Sequence, residues 1–133
     1  MAADPVVIEL GGQKILWTSD MKVVSASRML GTVSKALRNE DDADYQIPVG
    51  KVFRILQYTF QGAGSGLIEG QIYDSSSAGG STSTDSIQLF GAGENQVAYI
   101  PTEHDIAAGR YVNGKTAGAN YVYCTATGIE MDA

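Results

Sequence analysis

The chain has 133 residues, 44% of them hydrophobic and only 18% charged, which fits one globular domain with a surface rich in Ser, Thr, Gln and Gly. Nine Lys and Arg stand against 15 Asp and Glu, a formal net charge of −6, and no basic cluster is available to track phosphates, which excludes a nucleic-acid binder. Cys124 is the only cysteine, so intramolecular disulfides and cysteine-based metal clusters are excluded as well.

The opening "MAADPVVIELGG" has no basic stretch leading into a long apolar one, unlike a secretory signal, and no apolar run approaches the ~20 residues of a membrane span. The expectation is a protein made in a reducing cytoplasm, with no membrane partner. Sixteen glycines against three prolines imply many turns, and a small turn-rich domain is usually all-β. "VVIEL" (6–10), "KILWT" (14–18) and "MKVVS" (21–25) are β-like runs separated by Gly11-Gly12 and Ser19-Asp20, the first two spaced as a hairpin. From Ser27 to Leu37 the signals compete. Met29, Leu30, Val33, Ala36 and Leu37 fall at helical spacing, whereas Gly31-Thr32-Val33 favours a strand. The strand reading is preferred over a short helix, because "RNEDDAD" (38–44) then serves as a polar turn into Tyr45.

"YQIPVGKVFRILQYTF" (45–60) joins a turn to a long strand. Pro48 fixes its own φ and pushes Ile47 toward extended backbone, and Gly50 can adopt the positive φ of a tight turn. Val52, Phe53, Ile55, Leu56, Tyr58 and Phe60 then form a β-branched, aromatic-rich run. "QGAGSG" (61–66) reads as a flexible turn, "LIEGQIYD" (67–74) as a strand, and the Ser/Gly-rich stretch 75–86 as an exposed, mobile loop. "IQLFG" (87–91) and "QVAYI" (96–100) follow around the turn 92–95. In the closing segment Tyr121, Tyr123 and Thr125 alternate with Val122, Cys124 and Ala126, as a strand requires. The total is eight to ten short strands. "IPVGKVF" (47–53) is echoed by "IAAGRYV" (106–112), each a Gly turn followed by a basic residue that launches a strand. The echo implies two equivalent corners, with Pro48, Gly50 and Gly109 as structural turn residues, of the kind that cross between the sheets of a sandwich.

Residues able to do chemistry are scarce. His104 is the only histidine and has no second His or Cys to share a metal, so "PTEHDIAAG" reads as a solvated turn beside Pro101. No Gly-x-Ser-x-Gly elbow is present, "GAGSG" lacks the lysine of a phosphate loop, and Glu40, Asp41, Asp42 and Asp44 read as a solvated acidic turn. Cys124 reads as a small buried hydrophobe. No enzyme activity, metal or cofactor is expected. Trp17 and the strand tyrosines read as core or intersubunit contacts before sugar-stacking platforms.

The block "YQIPVGKVFRIL" resembles a Tyr-x-x-Pro-x-Gly-Lys segment and its apolar strand in small virion proteins of tailed bacteriophages, among them capsid decoration or cement proteins and head-fibre proteins. "IAAGRYVNGKTAGANYVYCTATGIEMDA" is similar to their closing strands, so the resemblance spans about half of the chain. It implies a single all-β domain over 1–133, a jelly-roll-like β-sandwich of antiparallel strands. It further implies a non-enzymatic decoration protein, commonly a trimer, on the capsid surface of a virion, with the major capsid protein as partner. A receptor- or glycan-binding fibre tip is the alternative. The candidate interface residues are Pro5, Val6, Val7, Trp17 and Tyr111, the first three within a candidate docking arm at 1–9 that reads equally well as an ordinary first strand.

Overall fold

Among the described residues, alternating inward apolar and outward polar side chains build ten strands: β1 (Val6–Leu10), β2 (Gln13–Trp17), β3 (Lys22–Leu30), β4 (Lys35–Ala36), β5 (Lys51–Ala63), β6 (Ile68–Ser75), β7 (Ser86–Ala92), β8 (Val97–Ala107), β9 (Tyr111–Ala117) and β10 (Tyr121–Asp132). The computed structural model describes residues 6–10, 12–41, 43–63, 67–80, 86–93, 96–117 and 121–133, and the described residues contain no helix. The competing signals in 27–37 resolve as the end of β3 and the short β4.

The pairing is nested. β3 pairs with β10, β4 with β9, β5 with β8 and β6 with β7, all antiparallel, as if one long hairpin had been folded over on itself. Further pairing of β10 with β5 and of β9 with β6 closes two four-stranded sheets, β3-β10-β5-β8 and β4-β9-β6-β7. A double-stranded ribbon wrapped into two facing sheets is the jelly roll, so the protein is an antiparallel β-sandwich of that class.

The two inner faces meet in one core. The first sheet contributes Ala26, Leu30, Phe53, Ile55, Tyr58, Phe60, Val122, Cys124 and Ala126; the second contributes Ile68, Ile72, Phe90 and Val112. Phe60 and Phe90 stack across the gap with ring centroids 4.1 Å apart and planes 12° from parallel. β1 and β2 form a separate hairpin over the outer face of the first sheet. It runs from Met21 at the start of β3 across to β8, where the Gln13 side-chain amide donates to the Thr102 carbonyl at 2.9 Å. Beneath it lie Leu56 and Ile129, each 1% exposed, whose burial is worth about 1.5–3 kcal/mol apiece. Leu56 reaches this outer layer because of a register shift between Ile55 and Gln57, facing a matching shift at Thr127/Gly128.

The echoed segments sit side by side as two corners. The first turn closes with Lys51 N–H donating to the Pro48 carbonyl at 3.1 Å, the second with Arg110 N–H donating to the Ala107 carbonyl at 3.3 Å. Gly50 has φ +77° and Gly109 φ +81°, the left-handed value that the third residue of such a turn needs. The corners also bond to each other: Gly109 N–H donates to the Ile47 carbonyl at 2.8 Å, and Ile47 N–H to the Arg110 carbonyl at 3.0 Å. One corner carries the chain into the first sheet at β5, and the other carries it from β8 into the second sheet at β9.

Two segments read as turns are strand. Residues 61–63 extend β5, because Gln61, Gly62 and Ala63 pair with Tyr123, Val122 and Tyr121. Residues 101–107, including Pro101 and His104, complete β8. That strand lies at the edge of its sheet, where a proline's missing N–H costs no ladder bond. The described part of the 75–86 stretch begins inside β6 and continues into a turn. There the Asn113 side-chain amide donates to the carbonyls of Ser77 and Gly80 at 2.8 and 2.9 Å. Residues 81–85 lie outside the described residues.

A Cβ added at Gly50 or Gly109 meets nothing within 4 Å, so alanine there introduces backbone strain alone. Each Gly→Ala change is expected to cost about 1–2 kcal/mol in denaturant unfolding. Gly128→Ala is expected to cost more, because the new methyl collides with the Arg54 carbonyl at the register shift. Stabilities of the first two variants at or above wild type would contradict the turn assignment.

Candidate functional site

The sequence-derived interface residues fall on opposite sides of the sandwich. In the hairpin, Val6 pairs with Trp17 and Val7 with Leu16. Val7 and Leu16 are 65% and 57% exposed, an apolar cross-strand pair on the hairpin's outward face, while Trp17 is half-buried. Tyr111 begins β9 in the second sheet and points outward, since its neighbour Val112 is in the core. It is half-buried and pairs with Ser75. Pro5 lies outside the described residues, as do 1–4 of the proposed arm, whereas 6–9 belong to β1.

The tyrosines divide sharply. Tyr45, Tyr58 and Tyr73 are buried, whereas Tyr99, Tyr121 and Tyr123 are 67%, 56% and 43% exposed. The exposed set marks a surface that sequence reasoning did not isolate, the open half of the first sheet's outer face. Beyond the hairpin it presents three cross-strand rows: Ser25–Thr127–Gln57–Pro101, Ser27–Thr125–Thr59–Tyr99 and Met29–Tyr123–Gln61–Val97. No position in these rows carries a charge. The Tyr123 hydroxyl donates to Ser27 Oγ at 3.0 Å, so the ring lies down along the sheet, and Ser25 Oγ sits 3.3 Å from Thr127 Oγ1. The pairing is unbroken from Thr127/Gln57 to Tyr121/Ala63, with both register shifts confined to the covered half.

Charge gathers elsewhere. On the covered half, Arg54 binds Asp105 through two hydrogen bonds of 2.8 and 3.0 Å and lies 3.6 Å from Glu103. The hydrogen bond from Arg54 holds the Asp105 carboxyl below the usual carboxylate range. A cleft of about 440 Å³ contains Lys22, Glu40, Asp44 and Glu130, with the Tyr45 hydroxyl donating to Glu130 at 2.6 Å. Burial, reinforced by that carboxylate, raises the Tyr45 phenol pKa. A larger cleft of about 730 Å³ on the second sheet holds Glu69 and Lys115 among Gly, Gln, Thr and apolar residues, with no histidine, cysteine or serine. Among the described residues no three His, Cys, Asp or Glu side chains converge as a metal site would require.

His104 is a structural residue in this arrangement. A neutral ring satisfies both neighbours, the Tyr58 hydroxyl 3.0 Å from Nδ1 and Thr102 Oγ1 3.2 Å from Nε2, with one ring nitrogen donating and the other accepting. Desolvation lowers its pKa. Cys124 is fully buried, and burial raises its thiol pKa, which leaves it protonated and out of reach.

No protein-family model and no curated protein matches the chain. Among solved structures it is similar in shape to a chain of the Bacillus endospore appendages, which are disulfide-linked pili. That match has 7% identity over 99% of this chain and 93% of the other, with a TM-score of 0.49. A chain of the cyanophage Pam1 capsid asymmetric unit is 17% identical over 83% of this chain and 84% of its own, with a TM-score of 0.42. PirA is 12% identical over 84% and 95%, with a TM-score of 0.40.

Because the folded His104 has a depressed pKa, the unfolded chain takes up this proton first. Its contribution to stability is complete above the ordinary histidine value near ~6.5 and is lost as pH falls below it. Wild type is therefore expected to lose thermal midpoint between pH 7 and pH 5.5, and His104→Gln to lose less; equal slopes would remove His104 as the cause. Cys124 is expected to resist a thiol reagent in the native protein and to react fully in denaturant. Rapid native labelling would place it at the surface.

Proposed function

We propose that this chain is a non-enzymatic structural protein of a virion, a capsid decoration or cement protein that binds the assembled shell of a tailed bacteriophage as a trimer. The observation that carries the reading is the nested ribbon pairing, since jelly rolls of this kind recur in viral capsid domains as well as in lectins and cupins. The step from architecture to role is analogy between folds. It is joined by the resemblance of "YQIPVGKVFRIL" to phage virion proteins. A rigid sandwich whose outward features are surfaces suits a protein that works by contact. Binding only the assembled state would stabilise the shell by mass action. The hairpin, with its Val7–Leu16 pair exposed, is the proposed docking element together with residues 1–5. A fibre-tip module that binds glycans is the second reading, favoured by the exposed rings of Tyr99 and Tyr121.

Co-sedimentation of the purified protein with undecorated shells of its own particle tests the first reading. Binding that is lost in Val7→Glu or Leu16→Glu, with the melting temperature unchanged, is the expected result. Shells that stay bare, while glycans are retained through the tyrosines, would favour the fibre-tip reading instead. Sedimentation equilibrium at micromolar concentration is expected to show a multiple of three chains; a clean 14.0 kDa monomer would reject a pre-formed trimer.

A further inference from the structure

We infer that the open half of the β3-β10-β5-β8 outer face pairs with the same face of a second copy of this chain about a two-fold axis. Three observations support that occupant. The first is charge. The chain is acidic, with net charge −6, and an isologous contact sets each residue against a copy of its own surroundings. Charged surface would meet like charge there, whereas the three rows from Ser25 to Val97 contain none.

The second is shape. The hairpin lies as one extra sheet layer over half of this face and ends where the open half begins. Stacked sheets sit ~10 Å apart, so the step is as high as the gap that two stacked faces need. A two-fold axis perpendicular to the strands, through the centre of the open half, places the partner's hairpin beyond the far end of the face. The two steps interlock instead of colliding. The open half is also regularly paired, as a stacking surface should be, with the register shifts confined to the covered half.

The third is composition and extent. Met29, Val97, Tyr99 and Tyr123 are large side chains left 43–67% exposed among Ser, Thr and Gln, and interfaces between proteins are enriched in Tyr and Met and depleted in charge. A sugar platform has no use for Met29 or Val97. Four strands at ~4.8 Å spacing, over about six residues of ~3.3 Å rise, make a footprint of roughly 400 Å² before side-chain relief is counted. The pair together approaches the ~1,000 Å² at which specific contacts begin, so association is expected at micromolar concentrations rather than nanomolar.

This contact does not depend on the virion reading or on the proposed trimer. Gln61→Glu and Tyr123→Glu each add a charge at an exposed position of the third row, which the axis sets against the partner's uncharged Ser25–Thr127–Gln57–Pro101 row, where the charge would be buried without a partner. Sedimentation equilibrium at about 50 μM, with circular dichroism melts as the folding control, provides the test. The expected result is that each variant keeps its fold and has half the mass of wild type, whether wild type is a pair of 14.0 kDa chains or a pair of trimers. Wild type that remains monomeric, variants with unchanged mass, or a fall from three chains to one would each overturn the two-fold contact. Retention of wild type on an immobilised neutral polysaccharide, lost in Tyr123→Glu while mass is unaffected, would assign the face to a glycan.

Discussion

β10 hydrogen-bonds along both of its sides, to β3 from Glu130/Lys22 to Val122/Leu30 and to β5 from Asp132/Lys51 to Tyr121/Ala63. It is the inner strand that joins the start of the ribbon to its middle. Without it β3 has no partner in the sheet, and the inner faces lose Val122, Cys124 and Ala126, each 0% exposed. Lys22 therefore cannot take its place until Glu130 is available, and the sandwich closes only through contacts between distant parts of the chain. Loop-closure entropy must be met before those contacts return anything, so folding is expected to be slow relative to a helical domain of this size.

That long-range closure leaves the corners to set the wrap. The ribbon changes sheets three times, and at the middle change, between β4/β9 and β5/β8, the mutual hydrogen bonds of Ile47, Gly109 and Arg110 lock its two strands together. The free sides of the sheet are handled locally. Ser27 of β3 exchanges both backbone hydrogen bonds with Arg38 at 2.8 and 3.1 Å, and β8 carries Pro101, Glu103 and Asp105 along its edge. Prolines and charges of this kind discourage a further strand from adding on. Growth through the edges is thus opposed, and the faces are left as the surfaces through which copies or partners can meet.

Most of the fold was legible because strand periodicity is local. "VVIEL" marks β1, the alternation of Tyr121, Tyr123 and Thr125 with Val122, Cys124 and Ala126 marks β10, and the Ile-x-x-Gly-basic echo marks the two corners. The misread boundaries were those where a distant partner overrides local turn chemistry. Gly62 stays extended because Val122 lies opposite, and the segment around Pro101 because Gln57 does. The surface was less legible. Alternation in β10 separates two faces but does not by itself say which is inside: Val, Cys and Ala are the more often buried types, whereas each tyrosine ring offers more apolar surface to bury. The small set faces in because the facing sheet already supplies Phe90 and Ile72, leaving room for Cys124 and Ala126 but not for further rings. The hairpin's position over half of one face depends on a register shift that no sequence pattern announced.

The stacked pair of Phe60 and Phe90 acts as a gauge of breathing between the layers. Each ring belongs to a different sheet, and at 4.1 Å centroid separation neither can turn about its Cβ–Cγ axis without sweeping its edge through the other. A flip therefore requires the sheets to part for an instant. Rings on the surface rotate in nanoseconds, but these two turn only as often as the sandwich opens at that point. The ortho and meta proton resonances of the two phenylalanines would then carry the rate of an opening that leaves the time-averaged coordinates unchanged.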